Sequence, residues 1–187
     1  MISYFPQVAD ENDLPVLAAM KDAFGFVPNL FRAQTKRPGL VQAEAQLVGA
    51  VLVQEGALTR QEKEYIFLVC SAANLSTYCV TAHCEIVRML GLKGPHPEQV
   101  AIDYAGANIP MRTKALLSFV AKLNTRPAQV SRRDIDALHT YGYEDEHIIE
   151  TVATVGLAKF ANTVAFGLGA APDFEPSSEL KFAAQAS

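Results

Sequence analysis

The chain has 187 residues, half of them hydrophobic and 19% charged, with a formal net charge of −4. That is the composition of one globular domain with a real core, which excludes a disordered segment. The acidic balance and the lack of a basic stripe argue against nucleic acid as a partner, and the run YIFLVCSAA is too short to span a membrane.

The opening MISYFPQVADEND has no charged region followed by a long apolar core, so no signal peptide is expected. Cys70, Cys79 and Cys84 are an odd, sparse set that does not make a disulfide framework. A reducing cytoplasm is the expected setting.

Taken in chain order, nearly every segment reads as helix, and turn signals fall between helical stretches. Residues 12–24 suit a first helix, followed by the turn GFVPN. A helix over about 37–54 carries Leu40, Leu47, Val48, Val51 and Leu52 on one stripe, the expected core face. Gly56 interrupts. Thr59 to Glu62 (TRQE) has the form of a capping box and opens a helix that runs to about Ala73.

Asn74, Leu75 and Ser76 make a short break before the helix of Cys79 and His83, which stops near Gly91. LKGPHPEQ is a loop, and helices follow at about 97–106 and 111–124. SRRD (Ser131 to Asp134) is a second capping-box-like start. The stretch from about 144 to 167 is apolar nearly all round, so it is expected to be buried in a core or against another subunit. Gly167, Gly169 and Pro172 end it. The tail 172–187 is expected to be loose or to pack on a neighbouring chain. Glu64 precedes Ser76 by twelve residues, and Glu150 precedes Asn162 by the same interval, an echo in keeping with an ancestral helical duplication.

The residues with chemistry cluster in one place. Cys79 and His83 are four apart, one above the other on a helix face that Ile86 and Leu90 continue. With Ser76 as N-cap, Cys79 lies in the first turn, where free backbone N–H groups and the helix dipole favour a thiolate. A protonated His83 would lower the thiol pKa further, and a neutral one would take its proton. Glu64 lies on the preceding helix beside Phe67. A carboxylate among apolar neighbours tends to have a raised pKa and can relay protons. Each residue also has a plainer reading: core filler for the thiol and imidazole, a dipole-favoured first-turn residue for Glu64, and simply a good cap for Ser76.

Glu64, eleven residues, then Ser76-Thr-Tyr-Cys79-Val-Thr-Ala-His83 resembles the signature of the alkylhydroperoxidase AhpD-like family, within the carboxymuconolactone decarboxylase superfamily. The family pattern is a glutamate, eleven residues, then Cys-x-x-Cys-x-x-x-His. SAAN, YCVTAH, GFVPNLFRAQTKRP (Gly25 to Pro38) and NTVAFGLG (Asn162 to Gly169) resemble its peroxidase-related branch, so the likeness covers nearly the whole chain as a single domain. The core motif spans 59–91, and a C-terminal helical half spans about 97–170.

The resemblance implies an all-α fold, a homo-oligomer (dimer, trimer or hexamer) and reduction of a peroxide substrate by a thiol. It implies that Cys79 attacks the peroxide and that Glu64 and His83, with a water, relay protons. No cofactor is expected, and a Cys–His pair is too small a ligand set for a structural zinc site.

Two departures from the pattern matter. Ser76 stands where the family has the cysteine that closes a disulfide, and Tyr78 stands where some members have a relay histidine. Cys84 points roughly 140° away from Cys79 on the helix. Cys70, beside Phe67 and Val69, reads as buried. An external thiol or reductase donor would then resolve the oxidised Cys79, giving a one-cysteine peroxidase. Two other classes stay open: a non-redox, lactone-decarboxylase-like enzyme, and a redox sensor without turnover.

Overall fold

The computed structural model describes residues 2–6 and 14–177, and among them every regular element is helical. The first helix is α1 (Pro15–Phe24); the part of the expected helix at residues 12 and 13 lies outside the described residues. A short α2 (Asn29–Arg32) follows, then α3 (Pro38–Val48), which runs on as a π-turn over Gly49–Val53. The others are α4 (Arg60–Ala73), α5 (Thr77–Met89), α6 (Pro97–Asp103), α7 (Met111–Thr125), α8 (Arg132–Thr140) and α9 (Asp145–Leu168).

Helix α4 is the axis of the fold, packed against α5, α6, α7 and α9. Its residues from Glu62 to Ser71 are all buried. The TRQE box starts it: Glu62 N–H donates to Thr59 Oγ1 at 3.2 Å, and Thr59 N–H donates to Glu62 Oε2 at 3.0 Å. At its other end Ser76 N–H donates to Ser71 O (2.8 Å) and Leu75 N–H to Ala72 O (3.0 Å). This is the 6→1 and 5→2 pair of a Schellman stop, with Leu75 in the left-handed position (φ 59°) that glycine normally takes. The tight stop leads directly into α5, which packs on α4 and sets His83 against Glu64.

SRRD opens α8 through a second capping box, Ser131 N–H donating to Asp134 Oδ2 at 2.7 Å. The stripe expected to bury α3 does so only in part. Leu52 is buried, Val48 and Val51 are half-buried, and Leu40 and Leu47 are exposed. The face turned inward carries Val41, packed with Leu17 and Met20 of α1, and Glu44 instead.

Helix α9 is the one helix among the described residues long and apolar enough to cross a membrane, a length that YIFLVCSAA does not reach. Here it packs on α4 and α7 through Val155, Leu157, Ala158 and Ala161 and leaves Ile149, Val152 and Phe166 exposed. Gly169, left-handed at φ 62°, ends it. The start of the tail is not loose. It folds over its own chain, with Asp173 accepting from Asn29 N–H (3.0 Å) and Phe174 meeting Phe26 edge-on at 5.4 Å. Residues 178–187 of the expected loose tail lie outside the described residues.

Candidate active site

Helix α4 supplies Arg60, Glu64 and Phe67. Glu64 is fully buried, and each of its oxygens has a cationic or imidazole partner: Arg60 Nε donates to Oε1 at 2.7 Å, and His83 Nδ1 lies 2.6 Å from Oε2. Phe67 stacks on the His83 ring, centroids 4.1 Å apart and planes 26° apart. The sequence reading expected a raised Glu64 pKa. Burial does push it up, but His83 and Arg60 outweigh that and hold the carboxyl below its ordinary value. Glu64 therefore sits as a carboxylate. It receives the His83 Nδ1–H, which leaves Nε2 as the nitrogen that can accept a proton.

Cys79 is the third residue of α5 and is buried. The expected thiolate preference at the helix start does not prevail. Burial pushes the thiol pKa up and Glu44 adds to that, while Ser76 and Asn162 pull it down as hydrogen-bond donors. Cys79 is thus a thiol that needs a base.

Ser76 holds the N-cap position of α5 but makes no capping bond. Its hydroxyl is buried and has no well-formed hydrogen bond among the described residues. It lies close enough to Cys79 to lower the thiol pKa, against the larger effect of burial. Asn162 of α9 reaches the same place. It donates to Ser71 Oγ (2.9 Å) and accepts from Asn74 Nδ2 (2.8 Å), so its amide is held from both ends. Of the sequence echo, then, Ser76 and Asn162 converge on Cys79. Glu150 does not follow Glu64: it accepts from Ala57 N–H and Leu58 N–H, each at 2.9 Å.

Tyr78 bonds to neither Glu64 nor His83 among the described residues. Its hydroxyl accepts from Leu30 N–H at 3.0 Å and donates to Asp173 Oδ2 at 2.5 Å, tying α2 and the tail to α5. Burial first, and then Asp173, push the phenol far up, so it stays protonated. Cys70 and Cys84 are buried free thiols. Burial raises Cys70 to about 12, and its carbonyl faces Asn124. Cys84 is raised as well and lies near Glu98 and Arg88, on the side of α5 turned toward α6.

Cys79, His83, Arg60, Tyr78 and Asp173 line one cavity of about 120 Å³, walled otherwise by Phe24, Phe26, Phe31, Phe67, Leu157 and further apolar side chains. Glu44 also lines it, a residue that sequence reasoning passed over. The available signal was that Glu44 is the single charged residue in the apolar run 38–53.

Solved structures share this arrangement of helices. One, from Ralstonia eutropha JMP134, is described as an alkylhydroperoxidase AhpD core, an uncharacterized peroxidase-related protein; it is 32% identical, with a TM-score of 0.84, over 96% of this chain and 95% of that one. The chain belongs to the AhpD-like family. An uncharacterized peroxidase-related protein from Silicibacter sp. TM1040 is 24% identical, with a TM-score of 0.84, over 96% of each chain. The debrominase Bmp8, solved as a C82A variant with 2,3,4-tribromopyrrole, is 20% identical, with a TM-score of 0.76, over 98% of each chain, a likeness of fold. No protein-family model matches the chain, and no curated protein does.

Proposed function

We propose that this AhpD-like protein reduces hydroperoxides through the single thiol of Cys79. The observation that carries the reading is the chain Arg60–Glu64–His83, buried at Glu64 and His83, ending at the cavity that Cys79 lines. His83 Nε2 takes the Cys79 proton, and the imidazolium that forms is stabilised by the Glu64 carboxylate. The thiolate, held by Ser76 and Asn162, attacks the outer peroxide oxygen. An S–O bond forms and the O–O bond breaks, leaving a sulfenic acid and an alcohol.

Regeneration takes two equivalents of an external thiol. The first displaces water from the sulfenic acid to give a mixed disulfide, and the second releases Cys79. Burial of Cys70 and Cys84 on other faces supports an external donor. The aromatic wall favours an organic hydroperoxide over hydrogen peroxide, since an apolar site of this size holds an apolar group better than a small polar one.

Steady-state consumption of cumene hydroperoxide with a small dithiol tests this. Wild type should turn over and Cys79→Ser should not. Turnover that survives Cys79→Ser would contradict the reading. Debromination of a halogenated pyrrole, measured in the same assay series, would redirect it to the chemistry named for Bmp8.

A further inference from the structure

Glu44 is almost wholly buried, at 3% exposure, and lines the same cavity as Cys79. One of its oxygens, Oε2, accepts from Gln34 Nε2 at 2.5 Å. The other, Oε1, has no hydrogen-bond partner among the described residues, and no cation there pairs with the carboxyl. The contrast with Glu64 is complete: one carboxyl has a partner at each oxygen, Arg60 and His83, and the other has a single amide.

An unpaired carboxylate in such surroundings is costly, so the protonated form is the stable one. Burial pushes the Glu44 carboxyl up, and Gln34 only partly offsets it. A protonated carboxyl has an O–H to donate. Two carboxyls driven apart in this way are the pattern of a site with separate base and acid arms.

We infer that Glu44 is the proton donor to the oxygen that leaves when Cys79 attacks a hydroperoxide. The inference rests on the peroxidase reading above. The step balances: thiolate, ROOH and Glu44–COOH give Cys79–SOH, ROH and Glu44–COO⁻. Sulfur loses two electrons to the peroxide, and the Glu44 proton goes to the departing alkoxide. The carboxylate regains a proton from the His83 imidazolium, which carries the proton first taken from the thiol. Glu44 and Cys79 disfavour being charged together. In this sequence they never are, because the cavity carries the negative charge first on sulfur and then on Glu44. The other ionisable groups in the cavity have their own partners: Arg60 and His83 on Glu64, and Tyr78 and Asp173 on each other.

The test compares two oxidants in single-turnover formation of Cys79 sulfenate, followed by dimedone trapping. Cumene hydroperoxide expels an alkoxide that needs a proton, whereas peracetic acid expels acetate, which does not. Glu44→Gln is expected to slow the hydroperoxide reaction about 100-fold, the scale of a lost general acid, and to leave the peracid rate within about threefold. Equal loss with both oxidants would overturn the role of Glu44 while leaving the peroxidase reading intact. A wild type that reacts with neither would overturn that reading and the inference with it. A second measurement needs no substitution. Across hydroperoxides whose alcohols differ in acidity, the wild-type rate should vary only weakly, and a steep dependence on leaving-group acidity would also overturn the inference.

Discussion

His83 Nδ1 lies 2.6 Å from Oε2 of Glu64, a carboxylate with no solvent exposure, and this contact joins α5 to the axial helix α4. It fixes which imidazole nitrogen is available to the cavity. Replacing Glu64 by Gln keeps the shape but removes the charge that stabilises an imidazolium. The rate of Cys79 alkylation by iodoacetamide should fall about 100-fold in His83→Ala, the lower end for a lost general base, and should fall also in Glu64→Gln. Peptide mapping of the alkylated protein reads this directly, with Cys70 and Cys84 labelled only on unfolding.

Ser76 separates a capping role from a chemical one. A capping serine replaced by alanine costs about 1 kcal/mol of stability. Ser76 makes no capping bond, so Ser76→Ala should change stability by less than about 0.5 kcal/mol while raising the pKa of Cys79 and slowing its alkylation. Urea unfolding and the pH dependence of alkylation are the two readouts.

Leu75 holds a left-handed conformation in the Schellman stop of α4. A non-glycine residue there costs about 1–2 kcal/mol, set against glycine's larger backbone entropy in the unfolded chain. Leu75 is well exposed, so little packing is lost on its removal. Leu75→Gly should raise the unfolding midpoint by about 2–4 °C for a chain of this size, as measured by calorimetry. A lowered midpoint would show that Leu75 is held there by contacts worth more than its strain.

The two carboxyls of the cavity should act oppositely on stability as pH changes. Glu64 has a depressed pKa in the fold, so its contribution is full above the ordinary carboxylate range and is lost as pH falls through the depressed value. Glu44 has a raised pKa, so its contribution is full below that range and is lost as pH rises through the raised value. Glu64→Gln should therefore weaken the acid-side fall of the unfolding midpoint. Glu44→Gln should raise the midpoint most at neutral and alkaline pH. Thermal unfolding across pH tests both.

Much of the fold was legible because its signals are local. TRQE and SRRD start helices where their side chains reach back to free N–H groups, and the break at 74–76 is visible as a run of non-helical residues. The position of Cys79 and His83 on adjoining turns of one helix also follows from spacing, whereas Glu64, on the preceding helix, is joined to them by the family resemblance. What was not legible depends on distant partners. The pKa of Glu64 is set by Arg60 and His83 together, and the environment of Cys79 by Asn162 from a helix some eighty residues away. The role of Tyr78 is set by Leu30 and Asp173, at opposite ends of the chain. Glu44 was hidden by an apolar stripe whose period was right but whose buried side was not, since α3 turns Val41 and Glu44 inward in place of Leu40 and Leu47.

The proposed peroxidase reaction requires that Cys79 alone meets the peroxide. The most direct measurement exposes the wild-type protein to one equivalent of cumene hydroperoxide with dimedone present, then maps the adducts by mass spectrometry. A single adduct is expected at Cys79, with Cys70 and Cys84 unmodified. An adduct spread over all three cysteines, or none at Cys79, would contradict it.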